Sequence, residues 1–301
     1  MNPMLVVGSV AFDTLHLAGQ THEKVLGGSA TYAAIAAANF TNVQLVGVVG
    51  RDFPDRAVQL LKSKRVDLAG LEVVDGETFH WEGRYAEDLS SRETLRTDLN
   101  VFADFQPKIP ESFRDTPYVM LGNIDPTLQM QVLDQIKRPK LVLADTMNLW
   151  IDIKHEALKA LLKRVDLLVL NDEEARQYTG ESGLVQCGHK LQAEGPRAVI
   201  IKKGEHGALL FHGQDELLSL PALPLARVQD PTGAGDTFAG ALLGYLAEQD
   251  DISAEAMRRA VVYGSVVASF CVEGVSTQQL EDAERAAIDD RYALMQRLVR
   301  F

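Results

Sequence analysis

The chain has 301 residues, 46% of them hydrophobic and 24% charged, with a formal net charge of −12. That is enough for one large α/β domain carrying an inserted piece, its composition is that of a soluble globule, and its acidic balance opposes a nucleic-acid partner. No run of about eighteen apolar residues marks a membrane span, Met1 to Met4 carry no charged leader, and Cys187 and Cys271 lack metal or redox spacing, so a cytoplasmic protein is expected.

In chain order, Met4 to Gly8 reads as a buried parallel strand. Asp13 follows just beyond it, on the side where open α/β sheets bind ligands. It is placed to accept hydrogen bonds from substrate hydroxyls, although a turn or capping aspartate is the plainer reading. Residues 14 to 26 read as small strands leaving the main sheet. Gly27-Gly28 opens an alanine-rich helix, Ser29 to Phe40, and Val43 to Gly50 is the next strand. A loop and a helix over Asp55 to Lys64 follow.

Residues 72 to about 105 break the βα rhythm. Phe79, Trp81 and Tyr85 share one face at period two, and His80, Glu82 and Arg84 share the other. The aromatic face is expected to pack within this piece or against a second copy, and the polar face to reach the substrate, with Arg84 as the candidate. Regular alternation then resumes. The strand Tyr118 to Asn123 ends on a polar residue, Pro126 to Lys137 is a helix, and Lys140 to Asp145 is a strand. Ile153 to Arg164 is a helix and Asp166 to Asn171 a strand. This pattern predicts a parallel sheet with helices on both sides. Asn171 with Glu174 three residues on reads as a capping box. Ala198 to Ala208 is a strand, a turn holding Gly204 and Gly207, and a second strand, with Lys202 near the turn. Ser253 to Cys271 and Gln279 to Leu298 read as two amphipathic helices.

The most informative stretch is Asp230-Pro231-Thr232-Gly233-Ala234-Gly235-Asp236-Thr237-Phe238. Apolar residues at 238, 241, 242, 245 and 246 fall at helical spacing, so Gly233-Ala234-Gly235 is the entry to a helix. A helix start has unpartnered N–H groups and partial positive charge, and small residues let an anion approach. Asp236 in the same turn is a good acceptor for a hydroxyl proton. Together they suggest phosphoryl transfer to an alcohol. Close helix packing with an ordinary capping aspartate explains the same residues equally well. The dinucleotide fingerprint fails at Phe238, and no Walker-type loop is present.

This signature, from Asp230 to Leu243, resembles the C-terminal signature of the ribokinase-like (PfkB) sugar and nucleoside kinases. Gly-Ser-x-x-x-Asp ending at Asp13, Gly27-Gly28, Asn171-x-x-Glu174 and the 198–208 hairpin are similar to family features in the same order. The resemblance implies one three-layer αβα domain over residues 1–301, with a mostly parallel central sheet. It also implies a small antiparallel β-lid from segments 14–26 and 72–105. It implies ATP and Mg²⁺ as cofactors, with K⁺ a further candidate, and a sugar hydroxymethyl group as acceptor.

By the same resemblance, Asp236 is the catalytic base and Gly233, Ala234, Gly235 and Asp236 form the anion hole. Asp13, Gly27, Gly28, Thr31, Arg84 and Asn123 face the acceptor, with Thr31 standing where the family has asparagine. Lys202, Gly204, Gly207 and Thr232 face the nucleotide, and Asn171, Glu174 and Asp230 organise metal. Asp236 is expected to have a near-normal pKa. A homodimer through the lid is typical of the family. A nucleoside acceptor, and a non-catalytic ligand-binding module of the same fold, remain open alternatives.

Overall fold

Met4 and Val6 pack into one hydrophobic core, whereas Leu5 and Val7 pack into another. Successive strand side chains point to opposite faces, so this short strand is covered on both sides. All four residues are buried, the condition under which a strand reads as a continuous apolar run. A computed structural model describes residues 2–89, 91–213 and 216–300.

The chain opens with β1 (Met4–Val7), β2 (Ala11–Leu17), β3 (Gln20–Gly27), α1 (Ser29–Ala37), β4 (Val43–Gly50), α2 (Asp55–Ser63) and β5 (Val66–Val74). β6 (Phe79–Tyr85), β7 (Arg92–Asp98), β8 (Tyr118–Leu121), α3 (Pro126–Leu133), β9 (Leu141–Asp145), α4 (Asn148–Ile153) and α5 (His155–Leu162) follow. Next come β10 (Leu167–Asn171), α6 (Asp172–Thr179), α7 (Leu184–Ala193), β11 (Ala198–Lys202), β12 (Ala208–His212) and β13 (Glu216–Leu220). The chain closes with α8 (Ala234–Gln249), α9 (Ala254–Cys271), α10 (Gln278–Asp282) and α11 (Arg285–Leu298).

Among the described residues the main sheet has nine strands in the order β13-β12-β11-β10-β9-β8-β1-β4-β5. Pairing is parallel from β5 to β11 and antiparallel at β12 and β13. The α1, α8 and α9 side carries one core, and the α3, α5 and α7 side carries the other. The order reverses at β1, which pairs with β4 on one side and β8 on the other. Such a switch point opens a crevice beyond the C-terminal strand ends.

A second sheet, β3-β2-β6-β7, forms the lid. Two antiparallel hairpins are joined by a parallel pairing of β2 with β6. The lid boundaries differ from expectation. Glu72 to Val74 finish β5 in the main sheet, paired with Val48 to Gly50. A single C-terminal helix was also expected; Ala283 instead is extended and buried, and divides it into α10 and α11. No helix of the described residues is long and apolar enough to cross a membrane.

Candidate active site

The site is built at the entry to α8. Asp230 is buried, and its carboxylate organises the turn: the Thr232 N–H donates to Oδ1 at 2.9 Å and the Ser276 N–H to Oδ2 at 2.9 Å. Gly233 then takes a left-handed conformation, φ 74°, which turns the chain into the helix at no steric cost. A side chain there would also collide with the ring of Tyr32, which lies directly beneath. The Ala234 N–H folds back to the Pro231 carbonyl at 3.2 Å. Among the described residues the N–H groups of Gly233, Gly235 and Asp236 have no backbone acceptor, and that of Asp236 bears on its own carboxylate. The expected cradle therefore has two open donors, and Ala234 does not supply one of them.

Asp236 sits in the first turn, partly buried. Burial and the nearby Asp145 push its pKa up to about 7, against the pull of Lys202, its own N–H and Arg92. This corrects the expectation of a near-normal aspartate. A carboxyl poised near neutrality is a stronger base than an ordinary one.

Behind it lies a charge cluster that the parallel sheet assembles from three neighbouring strand ends. Asp145 ends β9, Asn171 ends β10 and Lys202 ends β11. Lys202 Nζ is 3.6 Å from Asp145 Oδ2. It also packs on α8, since a Cβ on Gly235 would lie 2.7 Å from Nζ. Burial works against the lysine charge, yet Asp145, Glu174 and Asp236 together hold its pKa above normal. Glu174 is pushed to about 7 by burial and by Asp145, with Lys202 opposing. From sequence Asp145 is marked only as a strand end. The signal was available, because an acid at the C-terminal end of a parallel strand is the argument that singled out Asp13.

Asn171 and Glu174 form the predicted capping box: the Glu174 N–H donates to Asn171 Oδ1 at 2.8 Å, and the Asn171 N–H donates to Glu174 Oε2 at 2.8 Å. Asp230 is not gathered with them, and among the described residues no three Asp, Glu, His or Cys side chains form a metal cage. Mg²⁺ keeps several waters and needs few protein carboxylates. The excess of acids (Asp145, Glu174 and Asp236) over Lys202 suits a divalent cation here.

On the side where the acceptor is expected, Asp13 is buried, and its carboxylate lies across Gly27, where any Cβ would collide with it. Burial first, then Asp230 and Asp236, push Asp13 up to about 8, with Arg92 pulling it down. Gly28, at φ 94°, leaves room for the Ser9 carbonyl. Ser9 and Ser29 lock the two loops: the Ser29 N–H donates to Ser9 Oγ at 3.0 Å and the Ser9 N–H to Ser29 Oγ at 3.2 Å. Asn123, at the end of β8, accepts from Trp150 Nε1 at 3.1 Å.

Several expected residues stand elsewhere. Thr31 is fully enclosed in α1 with its hydroxyl unpartnered, because every residue of that helix is buried; the neighbouring Tyr32 is the one that reaches the Gly233 turn. Arg84 lies 3.6 Å from Glu93, both more than half exposed. It shares the outer lid face with His16, His80 and Glu82, where His16 Nε2 is 2.8 Å from Glu82 Oε1 and Thr14 Oγ1 is 2.9 Å from His80 Nε2. The period-two reading of this strand was correct, but its polar face turns away from the site. The inner face carries Asp13, Trp81 and Tyr85. The Thr232 hydroxyl meets Tyr85 Oη at 2.9 Å, so it faces the lid rather than a nucleotide. Gly207 lies against the Leu220 carbonyl, a packing role, and Gly204 stands in an open turn.

Residues 4–283 match the model of the pfkB family carbohydrate kinases. The chain belongs to this family. The PfkB relatives include a cytidine kinase of Thermococcus kodakarensis, 31% identical over 81% of this chain and 89% of its own length. A Burkholderia thailandensis nucleoside kinase solved with inosine superposes with a TM-score of 0.79 at 20% identity, covering 97% of this chain and 98% of its own. An Arabidopsis thaliana ribokinase solved with ribose and ATP gives 0.76 at 21% identity, with 97% and 98% coverage. The three-layer PfkB fold with its lid is thereby established, and the protein is a sugar or nucleoside kinase.

Proposed function

We propose that the protein transfers the γ-phosphoryl group of ATP to a hydroxymethyl group of a sugar, held by Asp13 and the Gly27-Gly28 backbone. The observation that carries this is the meeting, at the switch point, of Asp13, Asp236, the open N–H groups of Gly233 and Gly235, and partly buried Lys202. Asp236 takes the hydroxyl proton. The two N–H groups and the α8 dipole stabilise charge on the group in transfer. Mg²⁺, when bound near Glu174 and Asp145, would neutralise the nucleotide phosphates. The chain's own contribution is positioning and electrostatics, which suffices for a loose phosphoryl-transfer transition state.

A nucleoside acceptor is the second reading. It is favoured by the cytidine kinase among the relatives and by Trp81, which sits opposite Asp13 on the inner lid face. ADP release, measured with Mg·ATP and a panel of pentoses, hexoses and nucleosides, tests both. Turnover with at least one acceptor, lost by several orders of magnitude in Asp236→Asn, is the expected result. No ADP release with any of them would sink the kinase assignment for this site.

A further inference from the structure

The inner face of the lid holds a cation that nothing in the sequence pattern marked. Arg92 opens β7, directly opposite Tyr85 in the antiparallel pairing. Opposed residues point to the same side of a sheet, so Arg92 shares the inner face with Tyr85, Trp81 and Asp13. Three contacts fix where that face stands. Tyr85 Oη meets Thr232 Oγ1 at 2.9 Å, one residue before the anion-hole glycine. Trp81 pairs with Asp13 along β2 and β6. The Arg92 guanidinium lies over the Trp81 ring, 5.2 Å from its centroid. The indole is held flat, since it covers Gly83 and its Nε1 donates to Thr94 Oγ1 at 3.2 Å.

The guanidinium therefore hangs from the lid between the acceptor carboxylate and the turn that starts the anion hole. Its charge bears on Asp13, Tyr85, Glu174 and Asp236. That set covers the acceptor side, the base and the acidic cluster beneath the nucleotide side. Opposite it, Lys202 is partly buried and tied to Asp145. A group passing from nucleotide to acceptor would thus meet a fixed cation below and a lid-borne cation above.

We propose that Arg92 is a catalytic residue that contacts the phosphoryl group in transfer, swinging from the Trp81 ring onto the phosphoryl oxygens when the nucleotide is in place. The proposal rests on the kinase reading above. Guanidinium geometry suits the role: five N–H donors in a planar fork match phosphate oxygens, and a cation parked on an aromatic face is held only weakly. The covalent step is unchanged. The acceptor oxygen forms the new P–O bond as the bond to ADP breaks, the proton goes to Asp236, and Arg92 forms and breaks no bond.

The test is Arg92→Gln and Arg92→Lys in the full chain, with kcat and KM measured separately for nucleotide and acceptor. The expected result is a kcat lower by about 10²–10³-fold in Arg92→Gln, partial retention in Arg92→Lys, little change in acceptor KM, and recovery of activity by added guanidinium. Tryptophan emission supplies a readout without turnover. A non-hydrolysable ATP analogue should alter emission more than ADP does, and Arg92→Gln should lose that difference. An acceptor KM raised with kcat unchanged would instead make Arg92 an acceptor-binding residue and overturn the proposal. Wild-type kcat in Arg92→Gln, or identical emission responses in both proteins, would do the same. Failure of the wild-type enzyme to release ADP with any acceptor is a different result, and it strikes the kinase reading itself.

Discussion

The hydroxyls of Tyr85 and Thr232 lie 2.9 Å apart, joining residues 147 positions apart in the chain. This contact latches the inner lid face to the turn that opens α8. Both groups are buried, so removing one leaves the other without its partner, at a cost of about 1–3 kcal/mol. Tyr85→Phe should lower the melting temperature by a few degrees and reduce kcat/KM several-fold, through a looser lid. Thermal denaturation beside steady-state kinetics checks both. An unchanged kcat/KM would mean that the latch plays no part in closure.

The pH dependence follows from Asp236, the proposed base. It can take a proton only when ionised, and its pKa is raised to about 7. Activity must therefore fall as pH drops through about 7, and the limb should appear in kcat/KM, which reports the free enzyme. Asp236→Asn should abolish the limb along with most of the turnover. A profile flat from pH 6 to 8 in the wild type would contradict the assignment.

Stability carries the opposite sign. Asp13 at about 8 and Asp236 at about 7 bind protons more tightly in the folded chain than the unfolded value of 3.8 allows. The stabilising contribution is complete below the unfolded pKa and is lost as pH rises through the folded values. Between about pH 4 and 8 these two groups make the ligand-free protein less stable with rising pH. Asp13→Asn should flatten that slope and raise the melting temperature at pH 8. Urea unfolding at pH 5, 7 and 8.5 measures it. An unaltered slope would show that Asp13 is not held protonated.

Gly27→Ala tests the acceptor pocket. The added methyl would collide with the Asp13 carboxylate and not with backbone. The fold should survive while the carboxylate is displaced. Acceptor KM should rise more than about tenfold, the effect of losing over 1.4 kcal/mol of binding, and nucleotide affinity should stay near wild type.

Arg84→Ala is the contrast to the Arg92 substitutions. An exposed pair such as Arg84 with Glu93 contributes at most about 1 kcal/mol. Turnover within threefold of wild type is expected, and a large loss of kcat would return Arg84 to the site.

Much was legible without coordinates. The apolar run of β1, the Asn171–Glu174 capping box, the period-two faces of β6 and the glycine entry to α8 are dictated by backbone geometry within a few residues. Short-range rules reach that far. They do not say which face of β6 looks inward, and so Arg84 was expected in the site where Arg92 stands. Strand order decided that, by setting Tyr85 opposite Arg92 and Trp81 beside Asp13. Parallel pairing of β9, β10 and β11 likewise gathered Asp145, Glu174 and Lys202 from distant positions. The buried helix α1 enclosed Thr31 and placed Tyr32 under Gly233. The raised carboxyl pKa values belong to the same category, because desolvation exists only once the whole chain has excluded water. Local periodicity determined the elements and the candidate motifs, and the register and burial created by tertiary packing decided which of those side chains meet.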